Sequence, residues 1–357
     1  MPLMCTRGGG LPKTMVFWDV EDCPIPEDRD AYTVWRNVCL AIQDKGYEGR
    51  FEATGFGDLY QKESNFVGTR AKLFHVPKEE IDERRSSILV KFLCRAIGAD
   101  FYTYFALLLG DISGHFGFNR ALKHLKFRTY NHVIVAQPNR QSLTELEPIV
   151  SSVWLWPSLL DRGDSVFHQT VPPCRKGKRF KTPANTVIFW DVEGCQIPDG
   201  LDAAEVSLNI KSALVNHGLV VSIDEVVPIY AYGDSRKSLE SCDIVHKVYP
   251  SGKNNGGGGD AILEMILVDF LCCLIDNPST TANLMLILRD ISKHSEIILA
   301  ANLLRNLNFN VLLAQPQLDS EELLLWPSTK WLWSSLSAGG QPSKSSLSAG
   351  GQSSNQT

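Results

Sequence analysis

The nine cysteines of this 357-residue chain are odd in number and include no Cys-x-x-Cys pair. That argues against a disulfide framework and against a zinc site of the usual spacing. Reduced thiols in an intracellular compartment are the reading that remains. Positive charge is not in excess either: 35 Lys and Arg stand against 40 Asp and Glu, for a net charge of −5. A globally basic nucleic-acid binder is therefore excluded, although a local basic patch is not. Long apolar runs are missing. FALLLG and ANLMLILRD are too short to span a bilayer, and MPLMCTRGGGLPKTM at the start lacks the apolar core of a signal peptide. The expectation is a chain with no membrane span, placed in the cytoplasm, with the nucleus or a peroxisome-associated pool as alternatives.

What is present is an internal repeat, which governs any fold reading. TMVFWDVEDCPIP at 14–26 is matched by TVIFWDVEGCQIP at 186–198. GFGDL at 55–59 pairs with AYGDS at 231–235, and SSILVKFLC at 86–94 with EMILVDFLC at 264–272. ALLLGDIS at 106–113 pairs with LMLILRDIS at 284–292, and VIVAQP at 133–138 with VLLAQP at 311–316. SSVWLWPSL at 151–159 pairs with TKWLWSSL at 329–336. Six blocks in one order at a nearly constant offset predict two copies of one domain, over 14–157 and 185–336. A basic, Pro- and Gly-containing linker at 158–184 separates them. A Ser/Gly tail at 337–357 has a composition that cannot build a core.

Each copy alternates strand and helix signals. MVFWDV and VIFWDV are unbroken apolar runs, the pattern of strands buried on both faces. Helical spacing over 31–46 and 203–218 ends at Gly46 and Gly218, which are C-terminal cap candidates. Strands are expected near 51–57 and 226–232, further helices over 82–97, 116–127, 260–275 and 294–307, and strands at ALLLG, LMLIL, HVIVAQ and NVLLAQ. This is an α/β pattern with a parallel sheet flanked by helices on both faces.

In an open parallel sheet, ligands bind beyond the carboxyl ends of the strands. Asp19 and Asp191 end their strands. Asp111 and Asp290 directly follow ALLLG and LMLIL, and Asp82 and Asp260 open the preceding helices. Three carboxylates converging at one sheet edge would suit Mg²⁺ or Mn²⁺, which favour oxygen ligands and activate water for phosphate hydrolysis. Each acid has a plainer role open to it, as a turn former or helix N-cap.

The ordered string F-W-D-V-E-x-C-x-I-P, Y/F-G-D, D-x-x-x-x-x-I-L-V, G-D and V-x-x-A-Q-P resembles the NYN domain of the PIN-like ribonucleases. That domain occurs in the limkain-type, meiosis-regulating RNA-destabilising proteins, and tandem plant proteins ending in WLW-S-L look similar. The resemblance implies a PIN-like fold and metal-dependent cleavage of single-stranded RNA by Asp19, Asp82 and Asp111 in the first copy. In the second copy it implies Asp191, Asp260 and Asp290. The family's D-x-E-N has Asp22 or Gly194 at its last place, its G-D-x-D has Ser113 or Ser292 at its last place, and Arg289 precedes Asp290. Asp22 is then a candidate replacement metal ligand beside Asp19 and Asp111, whereas Arg289 would put a cation beside Asp290 at the second site, whose metal candidates are Asp191 and Asp290. The implied function is an RNA-directed role in gene regulation, as a metal-dependent endoribonuclease with eroded sites. The alternative is an inactive pseudonuclease that binds RNA or a protein partner.

Other features admit two readings each. RKGKRFK at 175–181 would clamp phosphates, serve as a nuclear address, or be a solvated linker. SGKNNGGGGD at 251–260 lacks the ending of a P-loop and reads as a loop in which Lys253 could meet a phosphate. Trp154, Trp156, Trp331 and Trp333 would either stack bases or close each domain by packing. Cys23 and Cys195 read as buried structural thiols.

Overall fold

The computed structural model describes residues 12–58, 66, 69–97, 99, 103–128, 132–140, 143–169, 186–233, 239, 244–248, 258–276, 283–317 and 327–343. The basic run at 175–181, most of the Gly-rich stretch including Lys253, and residues 344–357 lie outside these. The chain divides into two compact units, one of residues 1–182 with 267–278, the other of 183–266 with 279–357.

In the first unit β1 (Lys13–Asp19), α1 (Ala31–Asp44), β2 (Arg50–Gly57), β3 (Lys72–His75), α2 (Ile81–Ala96) and β4 (Thr103–Leu108) come first. They are followed by α3 (Phe116–Arg128), β5 (His132–Gln137), α4 (Leu143–Leu146), β6 (Ser152–Leu155), α5 (Trp156–Leu160) and β7 (Phe167–His168). The seven strands lie in the order β3-β2-β1-β4-β5-β6-β7, and only the β6–β7 pair is antiparallel. β7 adds a strand within the stretch read as linker. The second unit holds β8 (Thr186–Asp191), α6 (Ala203–Asn216), β9 (Ile229–Gly233), β10 (Ile244–Val248), the first part of α7 (Gly258–Asp276), whose residues from Leu267 on group with the first unit, and β11 (Asn283–Ile287). After them come α8 (Ser295–Asn306), β12 (Asn310–Gln315), β13 (Thr329–Leu332) and α9 (Trp333–Leu336). Its sheet runs β10-β9-β8-β11-β12-β13, all parallel and in the strand order of the first six of the other sheet.

The central strands are buried along their length because helices cover both faces. From β1, Trp18 packs with Val34 and Val38 of α1 on one side, while its neighbour Phe17 meets Phe92 of α2 edge-on at 5.8 Å on the other, as the period of two requires. Both first helices start on an aspartate. Asp30 accepts from the Thr33 amide at 2.8 Å, and Asp202 forms a full capping box with Glu205. Both are followed by a glycine at positive φ, Gly46 at 87° and Gly218 at 66°, where a Cβ would be strained.

All four WLW tryptophans are buried, from 0 to 6% exposed. Trp156 donates to the Pro24 carbonyl at 3.0 Å and Trp333 to that of Gln196 at 2.7 Å. They pin the loops after β1 and β8 and are not free to stack bases.

Asp202→Ala removes both halves of the capping box. It should lower stability by about 1 kcal/mol, a drop of roughly 2–4 °C in the melting midpoint of a unit this size. An unchanged melting curve would show that α6 is held by packing alone.

Candidate functional site at the strand ends

The strand-end carboxylates sit where the sequence places them, but they are already occupied by arginines. Asp19 ends β1 fully buried. Its Oδ1 accepts the amides of Glu21 at 3.0 Å and Asp22 at 3.1 Å, closing a tight turn. Its Oδ2 accepts from Arg84 Nε at 2.7 Å. Arg84, in the first turn of α2, is itself buried, with 1% of its side chain exposed. Its Nη1 donates to the Lys78 carbonyl at 3.0 Å and its Nη2 lies 3.5 Å from Asp22 Oδ1. Asp22 then turns its other oxygen to the Gly110 amide at 3.1 Å, with Arg85 at 3.8 Å. Burial pushes the Asp19 carboxyl above its ordinary value, outweighing the opposing hydrogen bond from Arg84.

The second unit reaches the same end by another route. Asp191 is fully buried and accepts the amides of Glu193 at 3.2 Å and Gly194 at 3.0 Å. Its guanidinium comes from Arg289, just past β11, which forks over both oxygens with Nε–Oδ2 at 2.5 Å and Nη2–Oδ1 at 2.9 Å. The hydrogen bond to Asp191 raises the Arg289 pKa further. On α7, aligned through Ile-Leu-Val, Ile262 stands where α2 has Arg84, and it is buried as well.

Space explains the exchange. A Cβ on Gly110 would collide with the Asp22 carboxylate, and one on Gly194 would collide with Asp191 and Arg289. The first unit thus combines an acid after the strand with a glycine before Asp111. The second combines a glycine after the strand with an arginine before Asp290. In both, the glutamine of the A-Q-P block holds this corner. Gln137 donates to the Gly110 carbonyl at 3.0 Å and Gln315 to that of Arg289 at 3.1 Å.

The expected convergence of three carboxylates is corrected here. Asp82, Asp111, Asp260 and Asp290 are exposed, while Asp19 and Asp191 are turned into the protein. Asp111 accepts the Ser113 amide at 2.9 Å, and Asp290 takes the Ser292 amide at 2.7 Å and its hydroxyl at 3.1 Å. Among the described residues no three His, Cys, Asp or Glu side chains are grouped to hold a metal ion. The residues present therefore do not fit the Mg²⁺ or Mn²⁺ that the acids suggested: a guanidinium sits against each buried carboxylate, and Asp111 and Asp290 accept hydrogen bonds from the turns that follow them. Arg289 does not point to solvent but bonds Asp191 directly.

Sequence reasoning missed Arg84. The available signal was a charged residue on the core-facing side of α2, in line with Ser87 and Ile88. It also missed the histidines beside the sites. His115 is desolvated and lies near Arg85, which together bring its pKa down to about 4, Asp82 opposing. His294 is instead raised, chiefly by its hydrogen bond with Glu296 at 3.3 Å, with Asp260 adding at 3.7 Å. Cys23 and Cys195 are fully buried, and burial raises both thiols, so neither is a nucleophile.

Each unit is an α/β fold with a parallel-dominated sheet flanked by helices, an architecture consistent with PIN-like domains. A NYN domain occupies residues 185–325, where the model of that family matches. No curated protein matches the chain. No helix among the described residues is long and apolar enough to cross a membrane.

Two outcomes follow. Asp19→Asn and Arg84→Met should each cost about 3–5 kcal/mol, because each leaves a buried partner unpaired. The double variant should cost clearly less than both together, with a coupling of roughly 0.5–3 kcal/mol; additive losses in chemical denaturation would contradict the pairing. For His115, a folded pKa near 4 against 6.5 means that the unfolded chain takes the proton more readily. Stability present above pH 6.5 should fall as the pH drops towards 4, by up to about 1.4 kcal/mol per pH unit. His115→Gln should flatten that slope, and an unchanged slope would assign it to other groups.

Proposed function

We propose that the chain is a tandem NYN-type protein that engages RNA without hydrolysing it, with both strand-end sites closed by arginine. One observation carries this reading: each buried carboxylate, Asp19 and Asp191, is bonded to a guanidinium, Arg84 or Arg289. A divalent cation would have to displace a buried or forked ion pair, and a unit charge about 4 Å away opposes it by roughly 4 kcal/mol at an effective dielectric near 20. The tandem assignment is supported by the shared strand order of the two sheets and by the six repeated blocks. The RNA assignment is supported by the NYN domain at 185–325. The role that fits is RNA-directed regulation by binding, with protein partners recruited by the same body.

A metal-dependent endoribonuclease is the second reading. It is favoured by Asp82, Asp111, Asp260 and Asp290, which remain exposed near the strand ends.

Incubation of the full chain with end-labelled single-stranded RNA in excess Mn²⁺ or Mg²⁺ separates the two. The expected outcome is an RNA that is retarded by the protein but left intact, with or without metal. Mn²⁺-dependent cleavage that disappears in Asp19→Asn/Asp191→Asn would overturn the closed-site reading in favour of the nuclease.

A further inference from the structure

The first sheet has an open notch away from the carboxylates. β3 begins opposite Thr54, where Lys72 is its partner, yet β2 begins four residues earlier at Arg50. Beside Arg50–Ala53 no strand pairs on the outer edge among the described residues. A cavity of about 390 Å³ opens there, between the edge of β2, the start of β3, α1 and α2. Its volume falls in the range of sites that enclose a small ligand.

Its lining is selective. Arg50, Arg70, Lys72 and Arg95 all face it and all are exposed. Glu52 is the only acid among the described lining residues, and it lies 3.6 Å from Arg50. Four cations against one carboxylate, on a chain of net charge −5, is a local concentration and not a by-product of a basic protein. α1 adds Tyr32, 55% exposed, and the edge of Trp35, which is braced against Phe51 at 6.4 Å.

The second unit lacks every one of these groups whose counterpart is described. Aligned through Ala31 and Ala203, Tyr32 and Trp35 become Ala204 and Ser207. Aligned through the sheet registers, Arg50 becomes Val226 and Lys72 becomes Val245. Aligned through α2 and α7, Arg95 becomes Cys273. The charged groups and Tyr32 are thus features of the first unit that the shared sheet order does not require.

We propose that this cavity is a nucleotide-binding site, taking one phosphate-bearing nucleoside, free or as a unit of an RNA strand. Guanidinium and ammonium groups bind phosphate oxygens by charge-assisted hydrogen bonds, and an exposed aromatic ring gives the base a stacking face. The lining strand residues lie level with positions two to six before Asp19, roughly 7 to 20 Å along the strand. The cavity is thus separate from the strand-end site, and the proposal goes beyond the RNA reading because a free nucleotide satisfies it.

The test titrates the full chain with UTP, a short oligouridylate, inorganic tripolyphosphate and a polyglutamate peptide, following intrinsic tryptophan fluorescence. Lys72→Glu/Arg95→Glu and Tyr32→Ala are compared with the parent after melting curves confirm their fold. UTP, oligouridylate or both should bind, at least tenfold more weakly to the charge-reversed variant. Tyr32→Ala should weaken binding roughly five- to hundredfold, the range of base–aromatic stacking, and tripolyphosphate and polyglutamate should bind less tightly than the nucleotide. Binding of UTP points to a free nucleotide as the source, and binding of oligouridylate alone to an RNA strand. Absence of all nucleotide binding, or tripolyphosphate or polyglutamate binding as tightly as the nucleotide, overturns the proposal. Oligouridylate binding undiminished in both variants overturns it while leaving the RNA reading intact.

Discussion

A carboxylate held in a dry interior at the end of a central strand must be given a positive partner, and the rest of each strand-end corner is arranged around that requirement. Asp19 and Asp191 are both fully buried, and an unpaired buried charge is among the costliest defects a fold can carry. Each unit supplies one guanidinium, but from different elements: Arg84 from the start of α2, Arg289 from beyond β11. Where the arginine comes from then decides which neighbouring position must be glycine. The two units meet the same requirement with different residues, each keeping the charge balance.

The corner is rigid because its other polar groups are tied as well. The Trp18 indole donates to the Cys23 carbonyl at 2.7 Å and Trp190 to that of Cys195 at 2.8 Å. Trp156 and Trp333 hold the next residues of the same loops, and Gln137 and Gln315 hold the opposite side. This scaffold suits a preorganised site. The group at its centre is a carboxylate bonded to a guanidinium. A pair held this way leaves each buried carboxylate bonded to a guanidinium, and the notch beside β2 is a separate surface of the first unit.

The elements of the fold were legible because parallel strands covered on both faces leave unbroken apolar runs, and because Gly46 and Gly218 punctuate the first helices; their N-terminal caps, Asp30 and Asp202, emerged only with the structure. The short edge strands β3, β7 and β10 were not, since Lys72–His75, Phe167–His168 and Ile244–Val248 are partly exposed and carry little pattern. Of the site, the position of Asp19 and Asp191 at their strand ends was readable, as was a cation at the second site, though not that it bonds Asp191. The partner of Asp19 was not. Arg84 lies 65 residues away in sequence next to Arg85, and a pair of arginines at the start of a helix reads as solvated surface until the packing turns one of them inward. The exposed acids were misplaced for a similar reason: an aspartate after a strand marks the sheet edge but not the direction of its side chain, and Asp111 and Asp290 spend theirs on the following turn.

The central claim is that arginine, not a divalent ion, partners the buried carboxylates. Isothermal titration of Mn²⁺ into the full chain at neutral pH tests it directly. The account predicts no saturable heat attributable to Asp19 or Asp191, and the same trace in Asp19→Asn/Asp191→Asn. Saturable binding in the parent that disappears in that double variant would contradict it, because it would mean that a metal displaces Arg84 and Arg289 from the carboxylates they hold.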